Sequence, residues 1–77
     1  MNWDDLKLFL EVARSGSISG AAKQLDVQHS TVSRRLRKLE EKLGARLFER
    51  KNSGFELTPA GEKVRQAVES TNLVTDV

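Results

Sequence analysis

Cationic and hydroxyl side chains are concentrated in the segment VQHSTVSRRLRKLEEKLG, residues 27–44. Side chains of these types neutralise and hydrogen-bond phosphate oxygens, so their grouping indicates a binding surface for a polyanion. Residues 34–51 hold eight cations and three acids, a net charge of +5, which leaves −3 for the rest of the chain. A solvated helix face has the same composition, so charge alone leaves that alternative open.

The spacing of apolar residues predicts that this segment is a helix from about Gln28 to Leu43, ended by Gly44. At about 100° per residue, the apolar residues fall within about 40° of Val32, whereas the polar residues lie about 100–240° away from it. The apolar face is therefore expected to pack in the core of the domain, and the polar face is available to bind an anion. The apolar face consists of Val32, Leu36, Leu39 and Leu43, and the polar face of Ser30, Ser33, Arg34, Arg37 and Lys38.

Two further helices are predicted before this one. Residues 2–15 form the first, with Asn2 as its N-cap, Gly16 at its C-terminal end and Trp3 as a core or interface anchor. Ser19 is predicted to cap a short second helix, in which small residues permit a close helix crossing. The apolar stripe of the first helix is Leu6, Phe9, Leu10 and Ala13, and that of the second is Ala21, Ala22 and Leu25.

After Gly44, the alternating segments RLFER and GFELT flank KNSG, which predicts a two-stranded hairpin within residues 46–58. Thr58 is predicted to cap a fourth helix that has Pro59 at its first position. That helix carries a weak apolar stripe. Because so short a chain has a thin core, we expect the stripe to be buried against a second copy in a homodimer. The predicted dimerisation residues are Val64, Ala67, Val68 and Thr71.

Composition narrows the classes of function. The 77 residues include no cysteine and one histidine, so neither a disulfide nor a metal site is expected. The chain has no phosphate-loop motif and is too small to enclose a substrate, so no cofactor and no enzymatic activity are expected. Its N-terminus lacks the pattern of a signal peptide, and its longest hydrophobic run is far below the roughly 20 residues that cross a bilayer. We therefore expect a cytoplasmic protein that contacts no membrane.

Residues 18–37 match the helix-turn-helix pattern at positions that have steric reasons. Asp26 replaces the usual glycine of the turn, and aspartate adopts a left-handed backbone conformation more readily than most residues. Two helices held in this way present the second one as a ridge that fits the DNA major groove, which is about 12 Å wide. The matching positions are Ala22 at the helix crossing, Leu25 and Val27 around the turn, and Val32 and Leu36 in the core.

The whole chain resembles the N-terminal winged helix-turn-helix domain of LysR-type transcriptional regulators. The segments that carry the resemblance are LKLFLEVARSGSISGAAKQLDV, TVSRRLRKLEEKLGARLFER and LTPAG, in this order and spacing. The resemblance implies a mainly α fold with a three-helix core, a two-stranded β-hairpin wing and a C-terminal linker helix. Residues 1–58 would be the DNA-binding domain and residues 59–77 the linker helix that pairs two subunits. A small-molecule effector would bind only through a further domain that these residues do not contain.

Together with the basic helix, the resemblance implies sequence-specific binding of double-stranded DNA. Residues 28–43 would occupy the major groove and the hairpin would act as the wing. The candidates for base readout are His29, Ser30, Ser33 and Arg34. The candidates for phosphate and backbone contacts are Thr31, Arg35, Arg37, Lys38, Arg50, Lys51, Asn52 and Thr58.

Three positions depart from the family pattern. The family usually has Ser or Thr where this chain has Gln28, which predicts a weaker N-cap. It usually has Gln where this chain has His29, so the family's base preference does not carry over to position 29. It often has Arg where this chain has Ser53, so either Lys51 or Asn52 would insert into the minor groove instead, or the insertion would be weak. The alternative function is a basic helical module for protein–protein interaction and dimerisation. In that case the third helix would dock on an acidic partner.

Overall fold

The computed structural model describes residues 2–75, with side chains through residue 69. It contains four helices and one hairpin, which confirms the predicted mainly α winged helix-turn-helix fold. In chain order the elements are α1 (Trp3–Ser15), α2 (Ile18–Leu25), α3 (His29–Leu43), β1 (Phe48–Lys51), β2 (Gly54–Leu57) and α4 (Pro59–Thr75).

The core lies among α1, α2, α3 and the start of β1. Its most deeply buried large side chains come from α1, α3 and Leu47, which directly precedes β1, while α2 contributes Ile18, Ala21 and Ala22. In α1 the buried residues are Leu8, Phe9 and Val12, so the predicted stripe had the wrong centre. The remaining stripe residues are only half-buried, because α1 packs against α2 and α3 together and buries a broader face. These half-buried residues are Leu6, Leu10 and Ala13.

Local capping signals determine the helix ends. Asn2 accepts a hydrogen bond from the backbone N–H of Asp5 at 2.8 Å, as predicted. The N-cap of α2 is Ser17 and not the predicted Ser19, since Ser17 Oγ accepts from the N–H of Gly20 at 2.9 Å. A cap at Ser17 starts the helix at Ile18, whose side chain is buried in the core.

The turn between α2 and α3 has the predicted geometry. Asp26 adopts the left-handed conformation, with φ of 56°. The N–H of Val27 donates to the carbonyl of Ala22 at 3.0 Å, which leads the chain directly into α3. At the other end, Gly44 ends α3 in the left-handed conformation, while Leu43 is 41% exposed instead of lying in the core. Leu43 is the last residue of α3 and lies beyond the edge of the core.

The hairpin is held to the helical body at both ends. Its strands are antiparallel, with Lys51 opposite Gly54 across a two-residue turn. Near that turn, the N–H of Phe55 donates to the carbonyl of Gly16 at 2.9 Å. At the base, Glu40 of α3 accepts from the N–H groups of Leu47 and Phe48, and the N–H of Thr58 donates to the carbonyl of Leu47 at 3.0 Å, which closes the hairpin. The hairpin is therefore a fixed extension of the core.

Helix α4 begins at the predicted cap, where Thr58 Oγ1 accepts from the N–H of Gly61 at 3.0 Å. Val64 packs against the core, Val68 is buried and Ala67 is exposed. The side chain of Thr71 lies outside those that the structure describes. None of the helices in the described range is both long and apolar enough to cross a membrane.

Candidate nucleic-acid interface

The outward face of α3 carries the candidates for base readout. His29, Ser30 and Arg34 are exposed, and Ser33 is half-buried. At about 100° per residue, Ser30 and Arg34 lie on the side of the helix opposite the buried Val32 and Leu36. The side chains of Ser30 and Arg34 therefore project away from the domain, one helical turn apart, in the N-terminal half of α3.

The N-terminus of α3 has the weak cap that Gln28 predicts. Gln28 has an extended backbone, with ψ of 152°, but its side chain makes no capping hydrogen bond. Its carbonyl accepts from the N–H groups of Thr31 and Val32, at 3.0 and 3.2 Å. The helix thus starts without side-chain help at the end that would approach a ligand first.

One flank of α3 faces the hairpin across a cleft of about 480 Å³. From the helix, Arg37 and Glu40 line the cleft together with Ser33. Across from them lie Arg46, Arg50 and Phe55. The guanidinium carbon of Arg50 lies 5.4 Å from the centre of the Phe55 ring, a cation–π contact that orients the side chain.

Glu40 joins the two walls of this cleft. Its Oε2 accepts hydrogen bonds from the backbone N–H of Leu47 at 2.7 Å and of Phe48 at 3.3 Å. A carboxylate that accepts from the first N–H groups of a strand fixes the distance between that strand and the helix. We call this region the wing-side cleft, lined by Ser33, Arg37, Glu40, Arg46, Arg50 and Phe55.

The other flank of α3 faces the N-terminus of α1. In this second groove, Arg35, Lys38 and Lys42 lie near Asp4 and Asp5. Lys42 Nζ lies 3.7 Å from Asp5 Oδ2. We call this region the α1-side groove, in which Lys42 is paired with a carboxylate and Asp4 lines the same surface as Arg35 and Lys38.

The tip of the hairpin is exposed and polar. Lys51 lies 3.5 Å from Glu49, and the hydroxyl of Ser53 donates to Glu56 at 3.4 Å. Asn52 is exposed at the turn. Thr58, a candidate for backbone contacts, is half-buried, and its hydroxyl donates to the carbonyl of Arg46 while it caps α4. The structure therefore gives Thr58 a role in joining the hairpin to α4.

Charged residues also cover part of α4. Arg65 Nε donates to Glu62 at 2.9 Å, and the same guanidinium pairs with Glu69. The hydrogen bond from Arg65 is the largest cause of a pKa for Glu62 below its ordinary value. The same pairing raises the pKa of Arg65. This side of α4 is therefore a solvated ionic surface.

Sequence reasoning placed the cations of α3 on one face, but the structure divides them between two flanks. Arg37 lies in the wing-side cleft, while Arg35 and Lys38 lie in the α1-side groove. Arg46 and Glu40 were not among the predicted site residues. The sequence shows Arg46 only as one cation of the basic block, and the partners of Glu40 are seven and eight residues away.

The fold and this surface define a winged helix-turn-helix DNA-binding domain. The family model for the bacterial regulatory helix-turn-helix protein, lysR family, matches residues 3–62. The chain therefore belongs to the lysR family.

Among curated relatives, the HTH-type transcriptional regulator YofA of Bacillus subtilis is 50% identical over 66 residues, 86% of this chain and 23% of YofA. The HTH-type transcriptional regulator HdfR of Yersinia enterocolitica is 47% identical over 64 residues, 83% of this chain and 22% of HdfR. The chain thus spans less than a quarter of the length of either relative.

The similar solved structures include complexes with DNA. The complex of the CbnR DNA-binding domain with DNA has a TM-score of 0.77 at 38% identity, and the match covers 99% of this chain and 92% of the CbnR chain. The complex of the BenM DNA-binding domain with catB site 1 DNA has a TM-score of 0.87 at 30% identity, and covers 99% of this chain and 84% of the BenM chain.

Proposed function

We propose that this chain is the sequence-reading domain of a transcriptional regulator and binds double-stranded DNA with α3 in the major groove and the hairpin as the wing. The observation that supports this best is the outward face of α3, where Ser30 and Arg34 project between two cationic flanks. Arg34 contacts base edges, most often the O6 and N7 atoms of guanine. His29, Ser30 and Ser33 contribute to base readout.

The remaining candidates position the domain on the DNA backbone. Arg37 and Arg50 act from the wing side, Arg35 and Lys38 from the α1 side, and Thr31 from the start of α3. Lys51 and Asn52 contact the backbone or the minor groove from the tip of the hairpin. Such contacts set affinity and its salt dependence but carry no direct sequence information.

Two copies act together on a two-fold-related site, and α4 contributes the contact between them. A single winged helix reads few base pairs, and pairing doubles the site. Val64 and Val68 pack within their own chain. In this arrangement they hold α4 against its own domain and do not contact the second copy. Ala67 and Thr71 remain the candidates for contact with the second copy.

A further domain of the full-length regulator binds the small-molecule effector, and the regulator acts in the cytoplasm.

The test is selection of bound duplexes from a random pool, followed by variants at two positions of α3. Arg34→Ala should cost about 1–3 kcal/mol on the selected site and flatten the preference at one base pair of each half-site. Lys38→Ala, the matched control, should weaken all sequences about equally. If no sequence is enriched, or if Arg34→Ala leaves the base-preference profile intact, α3 is not reading sequence. Salt-sensitive binding without sequence preference would favour the protein-binding alternative.

A further inference from the structure

The wing-side cleft brings together three arginines from three different segments of the chain. Arg37 comes from the middle of α3, Arg46 from the segment before β1 and Arg50 from β1 itself. Within residues 2–69, none of the three forms an ion pair with a carboxylate, and Arg50 instead stacks on Phe55. The cleft therefore presents positive charge that the domain itself leaves uncompensated.

The single carboxylate in the cleft is committed to the backbone. Glu40 uses Oε2 to accept from the N–H groups of Leu47 and Phe48, so it holds the arginine-bearing strand against α3. With three guanidinium groups and one carboxylate, the cleft has a net charge of +2. An anionic group that enters would meet guanidinium donors from both walls.

The position of the cleft relative to α3 indicates which part of a duplex would enter it. Arg34 points outward from α3, whereas Ser33 and Arg37 are rotated from it toward the hairpin by about 100° and about 60°. With Arg34 directed at the floor of the major groove, the cleft lies over the edge of the groove, where the phosphates run. Guanidinium groups suit this position because their planar N–H donors match phosphate oxygens in pairs.

We infer that the wing-side cleft binds one phosphodiester group of the DNA backbone in each half-site, and that Arg46 is a direct ligand of that phosphate together with Arg37 and Arg50. The inference rests on the proposed function, and it assigns a role to Arg46. It also makes Glu40 a positioning residue, because Glu40 fixes the strand that follows Arg46.

The first test compares Arg46→Gln and Arg46→Lys with the wild-type chain on the selected duplex. Arg46→Gln should bind about tenfold more weakly and lower the slope of log affinity against log salt by about one. Arg46→Lys keeps the charge, so it should keep the slope while losing part of the affinity. The base-preference profile should not change in either variant. Lys7→Gln is the matched control, because Lys7 of α1 is an exposed cation that lines neither the wing-side cleft nor the α1-side groove.

The second test locates the phosphate. Duplexes that carry one neutral methylphosphonate at a time are titrated with wild-type chain and with Arg46→Gln. One position in each half-site should weaken the wild type about tenfold and have little further effect on Arg46→Gln.

The outcomes separate this inference from the proposed function. If the selected duplex binds with its sequence preference but Arg46→Gln leaves the salt slope unchanged, the inference is wrong and the proposed function stands. The same holds if every methylphosphonate weakens the two proteins equally. If no duplex is selected by the wild-type chain, the proposed function itself fails.

Discussion

The two flanks of α3 carry three cations each but differ in what lies opposite them. In the wing-side cleft, Arg37 faces further arginines and a carboxylate that is engaged by backbone N–H groups. In the α1-side groove, Lys42 pairs with Asp5, and Asp4 lies nearby. The local net charge of a sequence segment therefore does not show where a ligand meets uncompensated charge. On this comparison, the wing-side cleft should bind the DNA backbone more strongly than the α1-side groove.

The largest effect should come from Gly54, which precedes Phe55, a residue that lines the wing-side cleft. The φ of Gly54 is +127°, and a Cβ atom there would lie 2.5 Å from the carbonyl oxygen of Gly16. Gly54→Ala should destabilise the domain by about 2–3 kcal/mol, which lowers the melting temperature by roughly 8–24 °C. Gly44→Ala is the control, since Gly44 also has positive φ but no atom lies within 4 Å of its added Cβ. Equal losses in thermal unfolding would mean that the contact with Gly16 does not hold the hairpin.

The next largest effect should come from Glu40→Gln, which keeps one acceptor oxygen but loses the carboxylate that holds two N–H groups. Stability should fall by about 1–2 kcal/mol. DNA binding should weaken even though a negative charge has been removed. Glu41→Gln is the matched control, because exposed Glu41 holds no wall of the cleft and its neutralisation should strengthen binding. Titration of the selected duplex with both variants decides the sign, and stronger binding by Glu40→Gln would contradict its positioning role.

On the α1 side, Asp5→Asn should have a smaller effect of opposite sign. Removing this carboxylate releases Lys42 and removes repulsion of the backbone, so affinity should rise about twofold to fivefold. Asp5 also lies in the first turn of α1, where an anion stabilises the helix, so stability should fall by about 0.3–1 kcal/mol. Fluorescence titration and thermal unfolding measure the two changes. An unchanged or lower affinity would show that the two flanks do not differ in the way described.

The smallest effect is expected at the N-terminus of α3, between the two flanks. Gln28→Ser supplies the capping oxygen that Gln28 does not provide, so the domain should gain about 0.5 kcal/mol of stability. The salt dependence of DNA binding should remain that of the wild type, because neither flank changes. Thermal unfolding detects the gain, and a loss of stability would indicate that Gln28 contributes to α3 in some way other than capping.

The sequence predicted features whose causes are local. The left-handed turn at Asp26, the cap at Thr58 and the end of α3 at Gly44 each depend on one residue type and its neighbours. The cap of α2 was predicted wrongly because Ser17 and Ser19 are equally suitable residues. The choice depends on whether Ile18 enters the core, which the local pattern does not show.

The candidate site was predictable only in part, for a related reason. Helical periodicity identified the outward face of α3 and therefore Arg34. The division of the cations between two flanks depends on which element packs beside each flank. Glu40 contacts a strand that begins several residues later, and Arg46 lines a cleft formed by that strand and α3. Contacts of this kind arise from the tertiary fold.

The two anchors of the hairpin have a consequence for the energetics of association. Because the N–H of Phe55 donates to the carbonyl of Gly16 and Glu40 accepts from the N–H groups of Leu47 and Phe48, the hairpin has little conformational freedom to lose when a ligand binds. The entropic cost of ordering a loop, which commonly reduces the affinity of flexible recognition segments, is therefore incurred during folding.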